Sequence, residues 1–197
     1  MKKLSITAYL FVWIGIFTHA TAFSQNQAQQ GIAAILSTLY NGDVEELNTK
    51  YIHPTYGLYD LYRVGATDRI RVLFAIPDEE TKDSFTLYQQ LFSSDKTTTF
   101  SFQWKKVSFS CDNFSWNQEG VFLSEEKVQP SLLQLMQEQD NRKDNTFTKE
   151  EYTRTAFIEE HSLKVIDTEN DLILYCTKIE GKWYLTVVDR LTTDCSA

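Results

Sequence analysis

The sequence is poor in residues that interrupt regular structure, with seven glycines and three prolines in 197 positions. That scarcity excludes a collagen-like repeat and a Pro/Gly-rich disordered chain. Three cysteines are too few for a disulfide-dense miniprotein. Positive charge is also short, with 19 Lys and Arg against 27 Asp and Glu, a net charge of -8. A balance of that sign repels phosphate backbones and anionic lipid surfaces, which disfavours nucleic-acid and membrane-surface partners. No CxxC, HExxH, GxSxG or phosphate-binding glycine loop occurs, and no serine is placed by motif beside a histidine. The chemistries those spacings serve are therefore not indicated, and nothing asks for a cofactor.

What is present is a hydrophobic fraction of 42%, enough for a real core in one domain or at most two small ones. Its most apolar run is at the start. Met1-Lys2-Lys3 is a basic opening, Leu4 to Phe17 is almost uninterruptedly apolar, and Ala20-Thr21-Ala22 has the small-x-small pattern cut by a signal peptidase. The run falls short of the roughly 20 residues that span a bilayer. Residues 1–22 are therefore expected to be a cleaved secretory signal, giving a secreted or periplasmic protein with no membrane insertion after cleavage. Cleavage removes Lys2 and Lys3 but no acid, leaving 175 residues with 17 basic against 27 acidic side chains, a balance of -10.

Cys111, Cys176 and Cys195 all lie in the mature part and would meet an oxidising compartment. An odd number predicts one pair and one free thiol, with three pairings open. Cys176 alternates in phase with Leu172 and Leu174, which points it into the core. No cysteine stands near His53 or His161, so no zinc site is expected.

Residues 23–30, FSQNQAQQ, read as a polar flexible leader, and 31–197 as a single α+β domain. Ile32, Ile35, Leu36, Leu39 and Tyr40 follow helical spacing, stopped by Asn41-Gly42. Asp43, with Glu46 three residues on, caps a second helix that ends at His53-Pro54. Gly57 to Arg63 alternates as a strand, as do Ile70, Val72, Phe74 and Ile76 before Pro77. Phe85, Tyr88, Leu91 and Phe92 have helical spacing. Phe100, Phe102, Trp104, Val107, Phe109 and Cys111 predict one long bent strand with a bulge at Lys105-Lys106, of the sort that wraps a half-barrel. A short strand, Val121 to Ser124, and a helix opened by Pro130 follow. Phe157 to Asp167 predicts a strand, and Leu172 to Ile179 with Lys182 to Arg190 a hairpin turning at Glu180-Gly181. That register sets Cys176 opposite Leu185, Leu174 opposite Val187, Tyr175 opposite Thr186 and Thr177 opposite Tyr184.

Within Ile32 to Pro54, AAILSTLYNGDVEELNTKYIHP resembles the opening of the nuclear transport factor 2-like superfamily, and KIEGKWYLTVVD, Lys178 to Asp189, resembles its last hairpin. The resemblance covers about a quarter of the mature chain. It implies an α+β cone, with N-terminal helices packed on a strongly curved, mostly antiparallel sheet and a pocket at the open end. Family enzymes such as ketosteroid isomerases and dehydratases place an acidic or histidine base and a tyrosine in that pocket. Their motifs match no position here, so no catalytic residue is carried over.

Tyr56 to Arg63, YGLYDLYR, is the densest functional-looking patch, since tyrosines offer a stacking face with a hydroxyl and arginine forks onto carboxylates. The simpler alternative is a half-buried strand with packed tyrosines and Asp60 turned to water. Asp140 to Glu151, DNRKDNTFTKEE, approximates a calcium loop, but Arg142 stands at a ligand position and Asn145 replaces the turn glycine. A Thr148–Glu151 capping box explains the same residues. The expectation is a non-catalytic domain that binds a small molecule or an envelope protein through residues among Tyr59, Tyr62, Arg63, Trp104 and Trp116, with a homodimer conceivable. The competing expectation is a pocket enzyme of the isomerase or dehydratase kind with Asp60 or His161 as base.

Overall fold

A computed structural model describes residues 25–76, 87, 91, 92 and 100–196. The first helix, α1 (25–40), is already formed at Gln25, six residues before Gly31, where a flexible leader was expected. Gln and Ala favour helix, and Ala28 extends the stripe of Ile32, Ile35, Leu36 and Leu39 one turn upstream. All five are buried, each of the larger four stabilising the fold by roughly 1.5–3 kcal/mol. Asp43 accepts from the Glu46 amide at 2.8 Å and caps α2 (Val44–Glu46), which runs on as a π-helical turn, Leu47–Tyr51. Leu87, Leu91 and Phe92 are helical, with both leucines fully buried, whereas Phe85, Tyr88 and Pro77 lie outside the described residues.

The architecture is mixed α+β. The strands are β1 (Leu58–Val64), β2 (Thr67–Leu73), β3 (Phe102–Trp104), β4 (Phe109–Ser110), β5 (Ser115–Trp116), β6 (Val121–Ser124), β7 (Ser162–Asp167), β8 (Leu172–Ile179) and β9 (Lys182–Asp189). Seven form one sheet in the order β2-β1-β9-β8-β7-β6-β3, while β4 and β5 make a separate ribbon. Pairing is antiparallel except for β1 with β9 and β3 with β6, and the sheet does not close into a barrel.

The long bent strand expected over Phe100 to Cys111 is therefore two pieces. Phe100, Phe102 and Trp104 pack toward α1, but Val107 sits in the core on the opposite face and Phe109 leaves the sheet to pair with Trp116. One bond past Trp104, from the Lys105 amide to the Leu123 carbonyl at 3.0 Å, ends the ladder where the lysines turn to water. Strand β2 likewise stops at Leu73, so Phe74 is 55% exposed and Ile76 is gripped separately by the Asn48 side-chain amide, at 2.7 and 3.0 Å.

Helix α3 (Leu132–Arg142) and α4 (Lys149–His161) cover the second face of the sheet. Helix α4 occupies the first part of the predicted Phe157 to Asp167 strand, and β7 begins at Ser162 without an intervening loop. The Ser162 hydroxyl donates to the Ile158 carbonyl at 2.6 Å, closing the last helical turn as the chain enters the sheet.

The final hairpin turns at Glu180-Gly181, both at positive φ as a two-residue turn requires. Cys176 pairs with Leu185 and Thr177 with Tyr184, as expected; beyond them the register shifts, Tyr175 facing Val187 and Leu174 facing Val188. Thr186 is the extra residue of a bulge. Its hydroxyl donates to the Tyr175 carbonyl at 3.1 Å, so the irregular backbone stays satisfied.

The cysteines form one bond, Cys111–Cys195, joining the β4–β5 ribbon to the C-terminal segment across 84 residues. Cys176 is free and buried, and burial pushes its thiol up to about 12. Among the described residues, no helix is long and apolar enough to cross a membrane.

Candidate functional site

Strands β6 and β8 finish, and β7 and β9 begin, at the same end of the sheet as the start of α1, and a hollow of about 330 Å³ opens there. Trp104 of β3 and Trp183 of β9 supply aromatic walls, and Leu163 and Ala28 add apolar surface. The polar lining comes from Gln25, Glu125, His161 and Lys178. Both tryptophans also pack against the core beneath α1, which fixes the aromatic walls on the scaffold rather than on a loop. Trp183 lies so close to Gly31 that a Cβ there would meet its ring at 2.2 Å, so only glycine lets α1 approach β9 this closely.

Trp104 Nε1 and Trp183 Nε1 are buried without a hydrogen-bond partner among the described residues; the other such side-chain atom is the Tyr175 hydroxyl. A buried donor left unmatched costs about 1–3 kcal/mol. Glu125 and Lys178 are exposed and have no ion-pair partner among the described residues. His161 is held by its own helix. Its Nδ1 lies 2.8 Å from the Phe157 carbonyl, which can only accept, so Nδ1 carries a proton and Nε2 is left for other partners. The imidazole also stacks on Phe157, with centroids 4.3 Å apart. Neighbouring acids are already engaged: Glu159 accepts from the Ser131 hydroxyl and the Leu133 amide, and Glu160 pairs with Lys127 at 2.7 Å, which holds its carboxyl below the usual range.

Of the five residues proposed from sequence, Trp104 alone lines this hollow. Tyr59 is buried on the other face, where its hydroxyl accepts from Thr155 at 3.0 Å and burial raises its pKa. Tyr62 lies under the guanidinium groups of Arg71 and Arg190, at 5.0 and 5.4 Å. Arg63 is committed to Asp68 at 2.7 Å and the Asp194 carbonyl at 2.9 Å. Trp116 donates to Asp171 at 2.8 Å in the outlying ribbon.

Asp60 does not face water. It is fully buried, accepting from Arg71 at 2.8 Å and from Arg190 at 2.8 and 2.7 Å. Register supplies both partners, since Arg71 lies opposite Asp60 on β2 and the Arg190 amide donates to Leu61 just past β9. A forked contact from Arg190 and one from Arg71 offset the desolvation of the carboxylate and commit it to a structural role. His161 ends a helix rather than sitting in a strand.

The calcium-like loop is tied up internally. Asp140 accepts from the Phe147 amide at 3.0 Å and the Tyr152 hydroxyl at 2.7 Å, Asp144 pairs with Arg69 and Arg142, and Thr148 with Glu151 forms the capping box. Among the described residues, no group of three or more His, Cys, Asp or Glu could hold a metal ion.

The signal for the hollow was present but indirect. Trp183 belongs to the hairpin motif and alternates with Leu185, which sends both to the α1 face. Nothing local marks Glu125 or Lys178, which come together only through strand order. Comparison with protein-family models, with curated proteins and with solved structures yields no match.

Proposed function

We propose that the chain is an exported, cone-like α+β domain of the nuclear transport factor 2-like kind that binds a small molecule without transforming it. The observation that carries this reading is the hollow between α1 and one end of the sheet, walled by Trp104 and Trp183. Apolar walls with a few polar groups at the rim, in a volume near 330 Å³, suit a small ligand. Export is supported by the Cys111–Cys195 bond, a linkage typical of oxidising compartments. A non-catalytic role is favoured because Asp60 is sealed between two arginines and, among the described residues, no tyrosine lines the hollow with His161. An envelope-protein partner is the second form of the reading, favoured by Phe114, 72% exposed at the turn of the β4–β5 ribbon.

A thermal-shift screen of small metabolites against the mature protein and the Trp104→Ala variant tests the reading. The expected result is at least one compound that raises Tm in the parent and not in the variant. If every stabilising compound acts equally on both, the hollow is not the binding site.

A further inference from the structure

The hollow does not stand alone. A second of about 320 Å³ shares Gln25, Trp104 and Glu125 with it and continues toward Lys105 and Lys106. A third of about 330 Å³ shares Glu125, His161 and Leu163 and continues toward Lys127 and Glu159. Glu125 therefore stands where all three meet, and the Trp104 hollow is the middle of an elongated trough.

We propose that this trough takes a neutral, polyhydroxylated chain, a short stretch of oligosaccharide. The inference rests on the small-molecule reading above and names its ligand class. Charge is the first argument. Glu125 and Lys178 are the unpaired ionic groups of the middle hollow among the described residues, and they are of opposite sign. A carboxylate ligand would meet Glu125 and a cation would meet Lys178, whereas a hydroxyl donates to the one and accepts from the other.

The remaining polar lining has the same two-way character. The Gln25 amide both donates and accepts, and His161 leaves Nε2 for a ligand hydroxyl because Nδ1–H is committed to Phe157. Trp104 and Trp183 offer aromatic surface on which the C–H face of a sugar ring can lie. Length is the second argument, because three adjoining hollows exceed what a single compact metabolite needs. An extended peptide fits less well, since β6 and β7 already have strands on both sides and the open row beside the trough is the three-residue edge strand β3, too short for an extended ladder.

The test is a tryptophan-fluorescence titration of the mature protein with neutral cello-, malto- and N-acetylated chito-oligosaccharides of two, four and six sugars, beside tetraalanine and benzoate. One neutral series should bind, with Kd falling by about fivefold or more from disaccharide to hexasaccharide as the adjoining hollows fill. Binding should change little between low and high salt, because the ligand is uncharged. Trp104→Ala should abolish it, and Glu125→Gln, an exposed change that leaves the core intact, should weaken it about threefold to tenfold. Trp104-dependent binding of tetraalanine or benzoate with no response to any saccharide would overturn the oligosaccharide inference and keep the small-molecule reading. If no probe acts through Trp104, both fall.

Discussion

The two faces of the sheet are buried by different means. Beneath α1 the core is mainly aliphatic and aromatic, from Ile32, Ile35, Leu36 and Leu39 to Leu174, Cys176, Leu185 and Val188, with one buried polar link from the Tyr40 hydroxyl to Asp167. Beneath α3 and α4 the apolar residues are threaded with polar ones. Ser162, Thr177 and Thr186 link hydroxyl to hydroxyl across three strands at 2.7 Å each, Thr155 reaches Tyr59, and Gln139 bonds to the backbone of Ile70. The first face is held chiefly by area and shape, the second to a larger extent by donors and acceptors between side chains. The comparison explains why the hollow opens on the α1 side. A layer held by apolar contact can stop at the end of the sheet without stranding backbone groups, whereas Ser162 and Thr186 must each place their single proton on an acceptor, here the Ile158 and Tyr175 carbonyls, leaving Thr177 to donate to one of those two hydroxyls.

The largest expected effect is on the apolar face. Leu36→Ala should lower unfolding free energy by about 2–5 kcal/mol in a denaturant titration, because Leu36 is fully buried and a cavity would remain. A loss below about 1 kcal/mol would show that α1 is not held by packing.

A sharper contrast uses adjacent residues. Cys176→Ser places a hydroxyl on the apolar face and should cost about 1–3 kcal/mol. Thr177→Val removes the middle of the ladder, but Ser162 keeps Ile158 and Thr186 keeps Tyr175, so the cost should be about 1 kcal/mol. If the two costs come out reversed, the division between the faces is wrong.

The smallest effect is a pH dependence on the polar side. His53 Nδ1 accepts from the Thr55 and Tyr56 amides at 3.1 and 3.3 Å, and the ring packs on Tyr184. Burial is the first cause that lowers its pKa below the ordinary 6.5. The folded state thus prefers neutral imidazole, so its stabilising contribution is complete above pH 6.5 and declines as pH falls through the lowered folded value. His53→Gln should flatten the slope of Tm against pH below that point, and an unchanged slope would assign it to another group.

Local features of the sequence translated directly into structure. The Asp43 cap, the Thr148–Glu151 box, the Val121–Ser124 strand and the turn-proximal part of the last hairpin each depend on residues within a few positions of one another. The odd cysteine count also led to one bond and one buried thiol. What escaped depends on distance along the chain. Arg190 reaches Asp60 across 130 positions, and the hairpin alternation holds no sign that Thr186 will bulge. The end of α4 was hidden because no glycine or proline separates His161 from Ser162, and Leu163 and Val165 carry their alternation straight into β7. The hollow was the least legible part, since Trp104, Glu125, Lys178 and Trp183 meet only once the strands are ordered. Half of the aromatic wall was still foreseeable, because Trp104 stood out as a large residue in an alternating run.

The grip of Gln139 on Ile70 has a consequence beyond the single molecule. Strand β2 is the longer of the sheet's two edge strands, and an unguarded edge is a row of donors and acceptors onto which another chain can add a strand. Gln139 accepts from the Ile70 amide at 2.6 Å and donates to its carbonyl at 3.0 Å, occupying the midpoint of that row, and Arg69 next to it is tied to Asp144. An approaching strand would have to break that internal amide pair to bond along the middle of the row. One glutamine of α3 thereby serves as a guard against self-association at the edge of the sheet.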